Sequence, residues 1–410
     1  MVFTDQAFVS AGNFLTTVIV ARELGLLEFG LFATAWLIVL ITTSMVMGFA
    51  AFPMMSKYHL LPENEQLQFL QGTVGTFLLV IIPFSILGSV CYFMVGLFWS
   101  EEVQTLVWPV ILLAIAINLQ DLQRRALIVQ GEISTALVSD IMTYGLRLLL
   151  LLCFSYVFSL NLVNALLIFT VSAFVGCLFF NRELPLHTVN LKVTRQSWSY
   201  NRVPAKWLVI SGLMQWTSIN LFILLAAFLI SPAAVAIIRI CQSLLAIFNV
   251  FIQALENIMP MQASKMYKER GGLALRAYLV KMAFYGALPF FVLSVVMLIY
   301  GGEIISIVYG DAYRDQVYVA LIYYSFAYVF VYLIVPVRIG LRTLEATSSW
   351  FAAYVVSTIF SLSSVYYLET VHGVVGAVVG ILLAHFVLVG LAAVKLLALF
   401  EKDIGSEKQV

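Results

Sequence analysis

Apolar runs of about twenty residues, separated by charged or Pro- and Gly-rich breaks, fill the chain from one end to the other. A hydrocarbon layer about 30 Å thick is crossed by about 20 helical residues, so each run predicts one transmembrane helix. The expected spans lie at 3–22, 31–52, 69–98, 104–129, 134–158 and 160–181, then at 205–230, 232–260, 274–300, 316–341, 347–369 and 373–398. The first run has no basic segment before it and no small-residue cleavage site after it, and it reads as a first helix rather than a signal peptide. The third is long enough to tilt or to carry a loop.

The two sets of six look like copies of one unit. Phe52-Pro53 is followed by Ser56-Lys57-Tyr58, and Met259-Pro260 by Ser264-Lys265-Met266-Tyr267. Pro83-Phe84 matches Pro289-Phe290 at nearly the same offset, and Arg125 with Glu132 matches Arg338 with Glu345 further on. The expectation is an all-α polytopic membrane protein of about twelve spans in two six-helix bundles, related by a pseudo-two-fold axis along the membrane normal. The bundles are placed at 1–190 and 205–398, joined by a cytoplasmic linker at 191–204 and followed by a cytoplasmic tail at 399–410. Substrate is expected to bind between the halves.

Composition removes the alternatives. Of 410 residues 62% are apolar and only 10% charged, against roughly a quarter charged in soluble domains, and mean hydropathy is +1.02. A net charge of +1 gives no basic field for nucleic acid. Cys91, Cys153, Cys177 and Cys241 lack CxxC spacing and the four histidines do not cluster, so neither a disulfide framework nor a metal site is indicated. Of the 22 Lys and Arg residues, 18 fall on alternate connections and span ends when the N-terminus is inside, and only Arg22 and Arg314 fall outside. Cytoplasmic loops carry the excess of positive charge, which puts both termini in the cytoplasm of a multi-pass inner-membrane protein. The longest outer break, about 301–316, is too short for an extramembrane catalytic domain.

Polar residues inside the spans are the candidates for function, because lipid-facing ones are costly. In the eighth span Arg239, Gln242, Asn249, Gln253 and Glu256 share one face at helical spacing. A hydrated cavity wall explains them, and so does interhelical hydrogen bonding. The fifth span puts Asp140, Thr143 and Arg147 on one face beside Tyr144, as a functional cation or as an ion pair between Asp140 and Arg147. Gln6, Ser10, Asn13 and Thr17 in the first span, and Ser211, Gln215 and Ser218 in the seventh, resemble further cavity walls. Arg22 lies opposite Asn13, where snorkelling to the interface also accounts for it. Tyr324, Tyr328 and Tyr332 form an aromatic row suited to sugar stacking or to core packing, and Gly376 and Gly380 have close-packing spacing.

Ala21-Arg22-Glu23-Leu24-Gly25 leading to Glu28-Phe29-Gly30-Leu31-Phe32, Arg124-Arg125-Ala126-Leu127 with Gln130-Gly131, and Arg239 early in the eighth span resemble the polysaccharide transporter, or O-antigen flippase, family. That family belongs to the multidrug/oligosaccharidyl-lipid/polysaccharide exporter superfamily. The resemblance implies polysaccharide biosynthesis: export of a lipid-linked oligosaccharide from the cytoplasmic to the outer leaflet by alternating access, without catalysis. It implies that Arg22, Arg147 and Arg239 contact the substrate pyrophosphate, with Gln242, Asn249, Gln253, Gln215 and Asn13 lining the cavity. No cofactor is expected. The coupling ion would be H+ or Na+, with Glu256 and Asp140 as the coupling candidates. Membrane lipids and other polysaccharide-assembly proteins are the expected partners. A cationic-drug exporter of the same superfamily and a membrane glycan polymerase or ligase are the alternatives.

Overall fold

The computed structural model describes residues 2–99, 106–179 and 190–407, and among them all regular structure is helical. In hydrocarbon each backbone N–H and C=O must find its partner within the protein, which a helix does by itself. The helices are α1 (Val2–Val46), α2 (Phe52–Lys57), α3 (Glu63–Trp99), α4 (Val107–Val129), α5 (Ile133–Cys153) and α6 (Leu162–Phe179). They continue with α7 (Leu191–Leu229), α8 (Pro232–Leu245), α9 (Ile247–Tyr309), α10 (Arg314–Thr343) and α11 (Thr347–Glu407).

At 1.5 Å per residue α1, α9 and α11 would be about 68, 95 and 92 Å long if straight, far beyond the membrane. Each turns at a glycine with positive φ: Gly25 (φ 72°), Gly271 (φ 72°) and Gly373 (φ 57°). A side chain at these angles would strain the backbone, which is why glycine stands there. Divided at the turns, with α2 continuing α1 and α8 continuing into the first leg of α9, the described helices make twelve spans, as the apolar pattern predicts.

Two departures from the expected helices have local causes. A π-helical turn at Met47–Ala51 precedes Pro53. Proline has no N–H for the carbonyl four residues back, and the widened turn lets Phe52 N–H reach Met47 instead. The expected eighth span is interrupted at Ala246, whose N–H bonds the Ser243 carbonyl three residues back at 3.2 Å. The polar stripe is therefore carried by two helices, Arg239 and Gln242 on α8 and the rest on α9.

The chain forms two compact units, one of Met1–Trp216 with Ser231–Ala236 and one of Thr217–Ile230 with Ile237–Val410. Residues 191–204, placed by their polarity in a linker, form the start of α7. In the first unit this segment lies against α3. A Cβ on Gly72 would stand 1.9 Å from Ser197 Oγ, and one on Gly75 1.9 Å from Thr194 Oγ1. Trp198 stacks on Phe49 with centroids 5.3 Å apart, over a core that includes Met54, Leu70 and Phe77. In the second unit Gly380 admits the Phe222 ring, which a Cβ would meet at 2.1 Å. Ser218 and Ser357 hydroxyls join α7 to α11 at 3.3 Å.

The internal repeat is visible in the backbone of each unit. After α4, Gln130, Gly131 and Glu132 donate to the carbonyls of Ala126, Ile128 and Leu127; after α10, Leu344, Glu345 and Ala346 donate to those of Gly340, Arg342 and Leu341. Every one of these six positions is separated from its counterpart by 214 residues. The same separation relates the positive-φ residues Gly131 and Glu345, and again Ser159 and Gly373. The polar pattern aligns Arg125 with Arg338; the backbone register moves this by one residue and aligns Arg124 with Arg338.

Gly380→Val is expected to cost about 1–3 kcal/mol through overpacking, read as a lowered melting temperature of the detergent-solubilised protein. Phe222→Leu should recover part of it. An unchanged melting temperature would show that this contact does not hold α7 to α11.

Candidate functional site

In the first unit the apolar stripe of α5 is broken by Asp140, Thr143, Tyr144 and Arg147. Arg147 is 2% exposed. Its guanidinium carbon lies 4.2 Å from the Phe169 ring centroid and 4.9 Å from that of Tyr144. Nε donates to Ser172 Oγ at 3.2 Å. A desolvated cation over an aromatic face gains about 2 kcal/mol, so two rings and a hydroxyl hold a cation that has no carboxylate partner among the described residues. Asn13 Nδ2 donates to the Tyr144 hydroxyl at 3.4 Å, which brings Asn13 and Arg147 to the same tyrosine.

Asp140, 1% exposed, is engaged elsewhere. It accepts from Arg124 Nε at 2.6 Å and from Gln120 Nε2 at 2.9 Å, both on α4. The pairing of Asp140 with Arg147 weighed from sequence is not the one found. A carboxylate this deep needs a cation and further hydrogen bonds to remain charged, and α4 supplies both. Arg22 is exposed on α1, one turn before Gly25.

In the second unit Arg239 of α8 is half-buried, and its Nη1 donates to Gln242 Oε1 at 3.0 Å. Tyr309, Tyr324 and Tyr328 lie within electrostatic reach of it. The Tyr324 hydroxyl faces Gln242, and the Tyr328 hydroxyl donates to Asn249 Oδ1 at 3.2 Å. Arg239, Gln242 and Asn249 thus form one neutral-walled cationic site with two tyrosines of α10. Among the described residues no carboxylate is within ion-pair distance of Arg239. Tyr332, third in the row and buried like the other two, has different partners: it stacks on Phe290 at 5.0 Å and donates to the Met282 carbonyl at 2.6 Å.

The remaining predicted residues are dispersed. Gln253 is half-buried with no side-chain hydrogen bond among the described residues, and Glu256 pairs with Arg338 of α10. Gln215 is on α7, but its side chain, like those of Gln6 and Ser211, lies outside the described residues. Sequence reasoning missed Phe169, Ser172 and Tyr309, whose roles depend on neighbouring helices. It also missed Glu369 of α11, 1% exposed, with both carboxylate oxygens lacking a hydrogen-bond partner among the described residues. At the end of an apolar run, a lone glutamate reads as the edge of the membrane.

No family model matches the sequence, and no match is found among curated proteins. Solved structures share the fold. An inward-facing multidrug resistance MATE family transporter of the MOP superfamily is similar with a TM-score of 0.73 at 13% identity, over 96% of each chain. The lipid II flippase MurJ in an inward closed conformation is similar with a TM-score of 0.68 at 13% identity, over 98% of this chain and 89% of that one. A MOP superfamily transporter from Pyrococcus furiosus, described by a reverse polarity of its binding pocket that suggests a different function, has a TM-score of 0.62 at 12% identity, over 97% and 95%.

Asp140→Ala removes a buried carboxylate that is hydrogen-bonded to Gln120 and to the half-buried Arg124, and is expected to cost about 1.5–3 kcal/mol, read as a lowered melting temperature. Arg124→Leu in the same chain should recover part of the loss. A wild-type melting temperature in Asp140→Ala would remove the pair from the account of the first unit.

Proposed function

We propose that this chain is a flippase that moves a polyprenyl-diphosphate-linked glycan across the cytoplasmic membrane by alternating access. The observation that carries the reading is Arg239, a membrane-embedded cation bonded to Gln242 and within electrostatic reach of three tyrosines, with no carboxylate at ion-pair distance among the described residues. A guanidinium in low dielectric attracts an anion strongly, and neutral dipoles offset only part of its desolvation. A diphosphate supplies the missing charge. Tyr324 and Tyr328 are buried, 7% and 6% exposed, with hydroxyls turned to Gln242 and Asn249, so they hold the polar wall behind Arg239 in place. The lipid tail would remain in the bilayer, so that only the polar head needs protein around it.

The fold itself hosts both multidrug transporters and a lipid II flippase, so the choice rests on the site. Export of cationic drugs calls for an accessible acidic group. Asp140 and Glu369 are each 1% exposed, and Glu256, though partly exposed, is already neutralised by Arg338. Enclosure that excludes a drug still admits a proton or a bare Na+, which adds Glu369 to Asp140 and Glu256 as a candidate for ion coupling.

In a host whose surface glycan depends on this chain, Arg239→Gln should lower export at least ten-fold at unchanged protein level, since a charge-assisted contact contributes about 1.5–3 kcal/mol. Arg239→Lys should retain part of the export. Full surface glycan in Arg239→Gln would overturn the reading.

A further inference from the structure

The 214-residue register makes the ends of α4 and α10 comparable position by position. Arg124 corresponds to Arg338, Ile128 to Arg342 and Asp140 to Tyr354. In the first unit the set is balanced: Arg124 meets Asp140, and Ile128 is apolar. In the second unit the carboxylate is replaced by a phenol and the isoleucine by a second arginine. Arg338 then draws its counter-charge from another helix, pairing through Nη2 with Glu256 of α9, while its Nε is buried without a partner among the described residues. Arg342 lies one turn further on, exposed, within electrostatic reach of Arg338, Glu256 and Tyr354.

Two guanidinium groups within electrostatic reach of one carboxylate, only one of them paired with it, leave a net positive charge and an unused donor. The side chains of Arg338 and Glu256 are 18% and 38% exposed, so a ligand can reach the pair. A structural ion pair needs neither the second arginine nor a donor left unpaired. A phosphate uses both, because it carries more charge than a carboxylate and presents three acceptor oxygens to forked donors.

We propose that Arg338, Arg342 and Tyr354 form a second anion site, specific for a phosphate or diphosphate group, in which Glu256 is an internal stand-in displaced when the ligand binds. The site lies at the end of α10 that the charge bias assigns to the cytoplasm, and it stands independently of Arg239. Its ligand is a phosphate group borne either by a membrane lipid or by a free solute. Since Glu256 competes for the same donors, removing its charge strengthens binding, the opposite of what loss of a structural ion pair would do.

The test uses the full chain carrying Arg239→Gln, so that any remaining phosphate binding belongs to this site. Binding of inorganic pyrophosphate in detergent and of farnesyl diphosphate in phosphatidylcholine nanodiscs is measured at fixed ionic strength. Adding Glu256→Gln should tighten binding of at least one probe about ten-fold, and adding Arg342→Gln should weaken it at least ten-fold. Arg342 is exposed and outside the ion pair, so Arg342→Gln reports even where Glu256→Gln lowers the yield of folded protein. Binding of farnesyl diphosphate alone assigns the site to a lipid headgroup, and binding of both probes to the phosphate group itself. No binding of either probe, unchanged affinity in Arg342→Gln, or unchanged or weaker affinity in Glu256→Gln would overturn the proposal, and would leave the role of Arg239 to its own test.

Discussion

A cation within a membrane span must be neutralised, hydrogen-bonded or hydrated, since even at the helix centre on insertion scales it costs about 2.5–3.5 kcal/mol. Four arginines here meet that constraint in three ways. Arg147 is enclosed between the rings of Tyr144 and Phe169. Arg124 is matched by Asp140, and Arg338 is held by a glutamate from another helix. Arg239 alone of the four is both half-buried and served only by neutral groups. Transport is proposed on that difference: a balanced or ring-enclosed cation holds helices together, whereas an unbalanced one at an accessible surface has affinity left for a ligand.

The repeat shows how such differences arise within one scaffold. Backbone turns recur 214 residues apart with the same three hydrogen bonds, although one copy places Gly131 and the other Glu345 at the positive-φ position. Packing at this turn tolerates a strained glutamate, so the geometry is imposed by the helices on either side rather than by the turn residue. With the frame held constant, replacing Asp140 by its counterpart Tyr354 and Ile128 by Arg342 changes the electrostatics of an otherwise repeated corner.

Apolar run length made the twelve spans legible in the sequence, because bilayer thickness fixes the length of a helix. Turns at Gly25, Gly271 and Gly373 fall where that length runs out. The contacts of the embedded charges were less legible. Gln242 was visible beside Arg239 because both lie on one helix three residues apart, but Asp140 finds Arg124 and Glu256 finds Arg338 across helix pairs that periodicity does not specify. Ser159 and Glu345 turn the chain without glycine, and Ala246 interrupts a helix without proline, so neither break has a compositional signal. Tyr332 and Tyr328 are equivalent in sequence spacing and both buried, yet one stacks on Phe290 and the other donates to Asn249, a difference set by which residues of α9 they meet.

The central claim is translocation of an anionic lipid-linked glycan, and reconstitution tests it most directly. Purified protein would be placed in liposomes holding a fluorescent polyprenyl-diphosphate oligosaccharide, and the fraction reached by a membrane-impermeant quencher followed with time. A flippase lets the quencher reach nearly all of the label, while liposomes without protein, and those containing Arg239→Gln, stay close to the half that lies in the outer leaflet. Quenching that stops at half with the native chain, whether or not H+ or Na+ gradients are imposed, would contradict the account.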